Sequence, residues 1–187
     1  MIIENKGIKT AKFYLPPFEL NEGEIIIIKL LNDITTCEIE NSLIELICGE
    51  KKNENIEIYK KLTFVKNNLK IPFFYNLFHK LTVGKYLKKN SNMDNEFSKK
   101  IYEIDWISNK TLIEKLAGGP RKKLSLYATL SKNKYILFDL FALDNKSRNE
   151  IFKIVRKSIK NYGAAILIDC YEGLEKEGDK YIELEYY

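Results

Sequence analysis

With 187 residues the chain is long enough for one domain with a substantial core, and its 45% hydrophobic and 30% charged residues exclude a disordered segment. The net charge of +5, from 31 Lys and Arg against 26 Asp and Glu, suits a phosphate group or an anionic membrane surface as readily as no ligand at all. No DNA- or RNA-binding motif accompanies that charge, so nucleic acid is not expected as a partner.

The opening MIIENKGIK has no apolar stretch after a basic start, so no signal peptide is expected. Apolar runs such as Ile25–Ile28 fall far short of a membrane span. Cys37, Cys48 and Cys170 are isolated and outside any C-x-x-C spacing, which points to a reducing compartment and to small buried hydrophobes. A cytoplasmic protein is expected.

In chain order, residues 24–31 (EIIIIKLL) form a continuous β-branched run, the pattern of a strand covered on both faces. Residues 72–116 lack such a run and are rich in aromatic, Lys and Asn residues; helices are expected near 83–90, 94–105 and 109–116. A helix follows Pro120, with Leu124, Tyr127, Ala128 and Ser131 as its buried stripe. Residues 134–139 (KYILFD) and 164–169 (AAILID) read as further strands. Between them lies a helix that Asp144 or Asn145 can cap, with Ile151, Ile154, Val155 and Ser158/Ile159 on one face and Gly163 as its C′ residue. Strand, helix, strand at this spacing predicts a βαβ crossover and a parallel sheet. The chain therefore reads as one α/β domain, residues 1–187, with 72–116 as an inserted helical subdomain.

The stretch 116–150, LAGGPRKKLSLYATLSKNKYILFDLFALDNKSRNE, resembles the heart of an ABC ATPase. There the signature L-S-G-G-Q precedes a helix, an apolar strand ending in D-E-P-T, and a loop ending in L-D. Other landmarks keep the family's order. Residues 20–28 (LNEGEIIII) resemble the turn and strand that lead into the P-loop, 81–87 (LTVGKYL) the segment after the Q-loop, and 171–187 the closing strand, with Asp179 as its Asp. The resemblance implies a P-loop NTPase-like fold, a parallel or mixed sheet with helices and a small helical insertion.

The departures concern the residues that would handle ATP. A P-loop needs G-x-x-x-x-G-K-[ST], because glycine amides wrap the phosphates and the Lys reaches them. No Gly lies between Gly23 and Gly49 and no Lys between Lys29 and Lys51, while Asp33, Glu38 and Glu40 would repel a triphosphate. The resemblance matches Asp139 to the Mg²⁺-associated Asp, but Leu140 stands at the catalytic Glu and Asp169-Cys170 at the switch His. The D-loop counterpart, with Leu143 and Asp144, is two residues shorter than the family's, and the Q-loop Gln becomes Asn67. Phosphoryl transfer depends on positioning and charge neutralisation, so no catalytic residue, metal or cofactor is assigned.

The signature-like loop, Leu116, Ala117, Gly118, Gly119, Pro120 and Arg121, could offer Gly amides and a helix N-terminus to a nucleotide held by a partner. Arg121, Lys122 and Lys123 crowd that positive end; the alternative is a tight turn with solvated lysines. Phe73, Phe74, Tyr75 and Phe78 fall where the family receives a permease's coupling helix, or form the core of the helical subdomain. His79 reads as an ordinary residue of the insertion. What the resemblance implies is a non-catalytic subunit that pairs with an ABC ATPase, a membrane permease or both, and meets the membrane only through the permease. Two alternatives stand beside it: a free-standing scaffold that kept the fold, and an active ATPase with a cryptic P-loop.

Overall fold

The computed structural model describes residues 1–66 and 81–187. Four short strands, Ile3–Asn5 (β1), Ile8–Lys9 (β2), Phe13–Leu15 (β3) and Phe18–Leu20 (β4), precede Ile25–Lys29 (β5) and the helix Thr36–Ile47 (α1). Ile56–Ile58 (β6) and Thr63–Phe64 (β7) come next, then the helix Val83–Asn90 (α2), 3-10 helices at Glu96–Glu103 and Ile113–Lys115, and Gly118–Leu130 (α3). Tyr135–Asp139 (β8), Asn145–Ile159 (α4), Ala164–Asp169 (β9), Lys180–Glu183 (β10) and Glu185–Tyr186 (β11) follow. The chain divides into two compact units: Met1–Phe64, Tyr135–Phe141 and Ile154–Tyr187 form one, Val65–Lys134 and Ala142–Lys153 the other.

The first unit is built on a five-stranded sheet in the order β10-β5-β9-β8-β7, parallel at every pairing. Every residue of β8 and β9 is buried, as expected of strands covered on both faces. On one face Ile26, Ile28, Leu137 and Ile166 join Ile39, Leu43, Leu46 and Ile47 of α1 in a single apolar cluster. Those α1 positions recur at i, i+4, i+7 and i+8, the stripe of an amphipathic helix. Each such side chain contributes roughly 1.5–3 kcal/mol by leaving water. The three expected strands are present, and β8 and β9 are adjacent and in parallel register, with Asp139 opposite Ile168.

Two antiparallel sheets, β4-β1-β6 and β11-β3-β2, complete this unit. At the amino ends of the central strands, Glu22 accepts from Lys60 Nζ at 2.7 Å, Tyr135 Oη at 2.7 Å and the Gly163 amide at 2.9 Å. Gly23 (φ +81°) donates its own amide to Gly163 O at 2.7 Å. Gly163 is therefore not the C′ residue of α4: the helix stops at Ile159, and Gly163, itself left-handed at φ +121°, joins the turn into β9. At the start of β10, Asp179 accepts from the Ile25 amide at 2.7 Å and pairs with Arg156, tying the closing strand to β5.

The described residues of the second unit are mainly helical. Val83 and Leu87 of α2 are buried, and Thr82 caps that helix by accepting from the Lys85 amide. The stretch expected as a helix over 94–105 is a 3-10 helix. There Asn95 accepts from the Phe97 amide, and the Ser98 hydroxyl lies 2.7 Å from Asn95 O. Such local side-chain bonds compete with α-helical ones.

Truncating Ile166, fully buried in the middle strand β9, tests this core. Ile166→Ala is expected to lower the unfolding free energy by roughly 2–5 kcal/mol in urea titrations, against less than about 0.5 kcal/mol for exposed Tyr187→Ala.

Candidate functional site

Open parallel sheets bind ligands outside the carboxyl ends of their strands, where successive connections turn opposite ways. Here that point lies between β5 and β9. The chain leaving β5 goes on to β7 beyond β9 and β8, whereas the chain leaving β9 reaches β10 on the far side of β5. The loop 30–35 from β5 into α1 springs from this point.

The loop satisfies itself. The Leu30 amide donates to Asp169 O at 2.8 Å and the Leu31 amide to Tyr186 Oη at 2.9 Å. Asp33 Oδ1 accepts from both the Thr35 amide and the Thr35 hydroxyl, each at 2.7 Å. The Thr36 hydroxyl accepts from the Asp33 amide at 3.0 Å and lies 2.6 Å from Leu31 O and 2.8 Å from Asp33 O. The Thr35 hydroxyl first, and then its amide, hold the Asp33 carboxyl below the ordinary value for aspartate. None of residues 30–35 has a positive φ, so the alternation that turns successive amides toward an outside anion does not arise. Asn32 and Asp33 are exposed, and so are two apolar side chains, Leu31 at 51% and Ile34 at 99%. At the end of β5 itself, Lys29 Nζ is buried without a hydrogen-bond partner among the described residues.

Asp139 ends β8 fully buried and accepts from the Phe141 amide at 3.1 Å; Leu140 beside it is equally buried. Asp169 ends β9, also buried, and accepts from the Tyr171 amide at 3.3 Å. Asp139 is in register with Ile168, and Asp169 with Lys29, so the two carboxylates leave opposite faces of the sheet. After Phe141 the shortened connection passes through Ala142 at φ +57°, the one non-glycine residue with positive φ among the described residues. Leu143 is half-buried. Asp144, rather than Asn145, caps α4, accepting from the Ser147 amide at 2.9 Å and the Ser147 hydroxyl at 2.7 Å.

In the signature-like loop Leu116 is buried and Ala117 exposed and extended. Gly118 sits at φ +53° with open space where a Cβ would be, whereas a Cβ on Gly119 would come within 2.5 Å of Ser147 Oγ. The helix starts at Gly118, so Pro120 lies inside its first turn, where its missing N–H still has no helical partner to lose. The three cations do not form the outward cluster expected. Lys122 is buried and donates to Val65 O at 3.2 Å, and Lys123 pairs with Glu150 at 2.7 Å. Arg121 is half-buried, its Nε without a hydrogen-bond partner among the described residues. The helix is buried over more than one stripe, which draws the stems of these side chains inward. Asn67, Phe73, Phe74, Tyr75, Phe78 and His79 lie outside the described residues.

No protein-family model matches the chain, and no curated protein does. Solved structures do. A putative ABC transporter ATP-binding protein from Pyrococcus furiosus superimposes with a TM-score of 0.73 at 17% identity, covering 98% of this chain and 97% of that one. The fold is that of an ABC transporter ATP-binding domain. A bacterial ABC transporter cassette solved as a dimer gives 0.66 at 18% identity, over 98% and 94% of the two chains. The cbiO1 part of the cbiONQ ABC transporter complex from Clostridium perfringens gives 0.63 at 15%, over 98% and 84%. Among the described residues of this ABC-type fold, no helix is long and apolar enough to cross a membrane.

Two outcomes follow from the β8–α4 connection. A left-handed conformation costs an L-residue roughly 1–2 kcal/mol. Ala142→Gly should therefore leave stability unchanged or raise it by up to about 1 kcal/mol in urea titrations, although Ala→Gly ordinarily costs about 0.5–1. The Ser147 amide, with its hydroxyl, holds the Asp144 carboxyl below its ordinary value, so the cap stabilises above about pH 4 and is lost as pH falls through the folded-state value. Asp144→Ala should lower Tm at pH 7, and the gap to wild type should close in acid.

Proposed function

We propose that this chain is a non-catalytic ABC-type domain that works as a subunit beside an intact ABC ATPase, a membrane permease or both. Asp33 carries the proposal. Its carboxylate takes the loop amide and hydroxyl of Thr35 just before the start of α1, where a nucleotide-binding loop would offer its donors to a phosphate. A triphosphate brought there would meet a carboxylate held ionised, with no lysine in the loop to offset it. Leu140 after Asp139, and Asp169-Cys170 at the end of β9, support the same reading, because Leu140 has no group to take a proton and neither Asp169 nor Cys170 supplies an imidazole. One structural relative was solved as a dimer and another is part of a transporter complex, which favours a partnered role peripheral to the cytoplasmic face of a membrane.

Calorimetric titration of the isolated chain with Mg-ATP tests this directly. No binding tighter than a Kd of about 100 μM, or ~5.5 kcal/mol, is expected. A micromolar Kd would overturn the proposal. Partner contact through the signature-like loop is tested separately at Gly118, since its added side chain meets nothing, whereas Gly119 has Ser147 against it. Gly118→Asp should leave the domain folded, at a cost of roughly 1–2 kcal/mol for its left-handed backbone, and slow ATP turnover in a reconstituted complex, through repulsion of the partner's nucleotide. An unchanged rate would remove this loop from the interface.

A further inference from the structure

Charge is divided unequally between the two units. The helical one, residues 65–134 and 142–153, contains 18 Lys and Arg against 7 Asp and Glu, whereas the remainder contains 13 against 19. A chain of +5 overall therefore holds a unit of +11, and α2 concentrates part of that excess on one face. Lys85, Lys88 and Lys89 stand at i, i+3 and i+4, so they are neighbours on the helix surface. All three are exposed, α2 contains no acidic residue, and none of the three has an ion pair among the described residues. Val83 and Leu87 occupy the opposite, buried side.

The segments next to both ends of α2 each contain an exposed apolar side chain. At the N-terminal end the Gly84 amide donates to Asn109 O at 3.0 Å, and the Val83 amide to Thr111 O at 2.8 Å. Those bonds hold residues 109–111, with exposed Lys110, against the start of the helix, and the 54%-exposed Trp106 lies three residues before Asn109. At the C-terminal end Ser91, the C-cap residue, lies with its Oγ 3.3 Å from the sulfur of Met93, which is 42% exposed. The amphipathic ring of tryptophan suits the level of lipid headgroups.

We infer that this face, Lys85, Lys88, Lys89 and Lys110 with Trp106 and Met93, docks on the anionic surface of a lipid bilayer. Unpaired lysines supply the attraction to acidic headgroups, and Trp106 and Met93 enter the boundary between headgroup and acyl chain. An acidic protein partner would match the charge and could cover the indole as well, and the experiment below distinguishes it from lipid. The inference is independent of the non-catalytic reading, because no residue of loop 30–35 takes part.

Trp106 is the only tryptophan, so intrinsic fluorescence of the full chain reports on this face alone. Vesicles of roughly 3:1 phosphatidylcholine to phosphatidylserine should shift its emission to shorter wavelength and carry the protein upward in flotation, and added salt should reverse both. Pure phosphatidylcholine should do neither. At roughly fivefold per lysine, the triple variant K85E/K88E/K89E should lose at least about tenfold in partitioning while keeping its circular dichroism and Tm. Trp106→Ala, read by flotation, should also bind more weakly with its Tm unchanged, and serves if the triple variant misfolds. Absence of any shift with anionic vesicles at low salt would overturn the inference, as would binding that survives both variants. Tighter binding to soluble polyglutamate than to vesicles, with Trp106 emission unmoved, would also overturn it, in favour of an acidic protein partner.

Discussion

A helix that begins just past the carboxyl end of a parallel strand brings together backbone donors and a positive dipole end that attract negative charge. In this protein the charge comes from within. Asp33 bonds to Thr35 through both its amide and its hydroxyl, and Thr36 closes the loop with its own hydroxyl. The start of α1 is thereby supplied without any ligand, and Leu31 and Ile34 are turned to solvent where a phosphate-binding loop would present backbone.

The rest of the first unit is held in a way that does not depend on nucleotide. Glu22 gathers Lys60, Tyr135 and the Gly163 amide at the amino ends of the strands, and Asp179 fastens β10 to β5. Continuous apolar burial in β5, β8 and β9 supplies the driving force between these ties. None of these ties draws on a residue of loop 30–35.

Much of this sheet was legible in the sequence, because fully covered parallel strands read as unbroken β-branched runs, as at Ile25–Ile28 and Ala164–Ile168. The helix capped by Asp144 was equally plain, since its cap and its apolar stripe agree. The antiparallel strands were not, being two or three residues long and too short for any periodicity to register. Composition placed Lys122 in solvent, yet tertiary packing around α3 buries it against Val65 O. At the candidate site, absence of Gly and Lys was visible, but what fills the loop was not. Its signal, Asp33-Ile34-Thr35-Thr36, is an Asx-type turn pattern whose side-chain oxygens bond to nearby backbone amides.

That internal anion can be watched directly by following the backbone amide signals of residues 30–38 by NMR during acid titration, with and without Mg-ATP. If Asp33 occupies the loop, the Thr35 amide should report a single protonation with a midpoint below the ordinary aspartate value of about 3.9. Mg-ATP at neutral pH should then leave the amides of Thr35, Thr36 and Cys37 unmoved. A Thr35 amide indifferent to acid, together with nucleotide-dependent shifts across these three residues, would contradict the account at its centre.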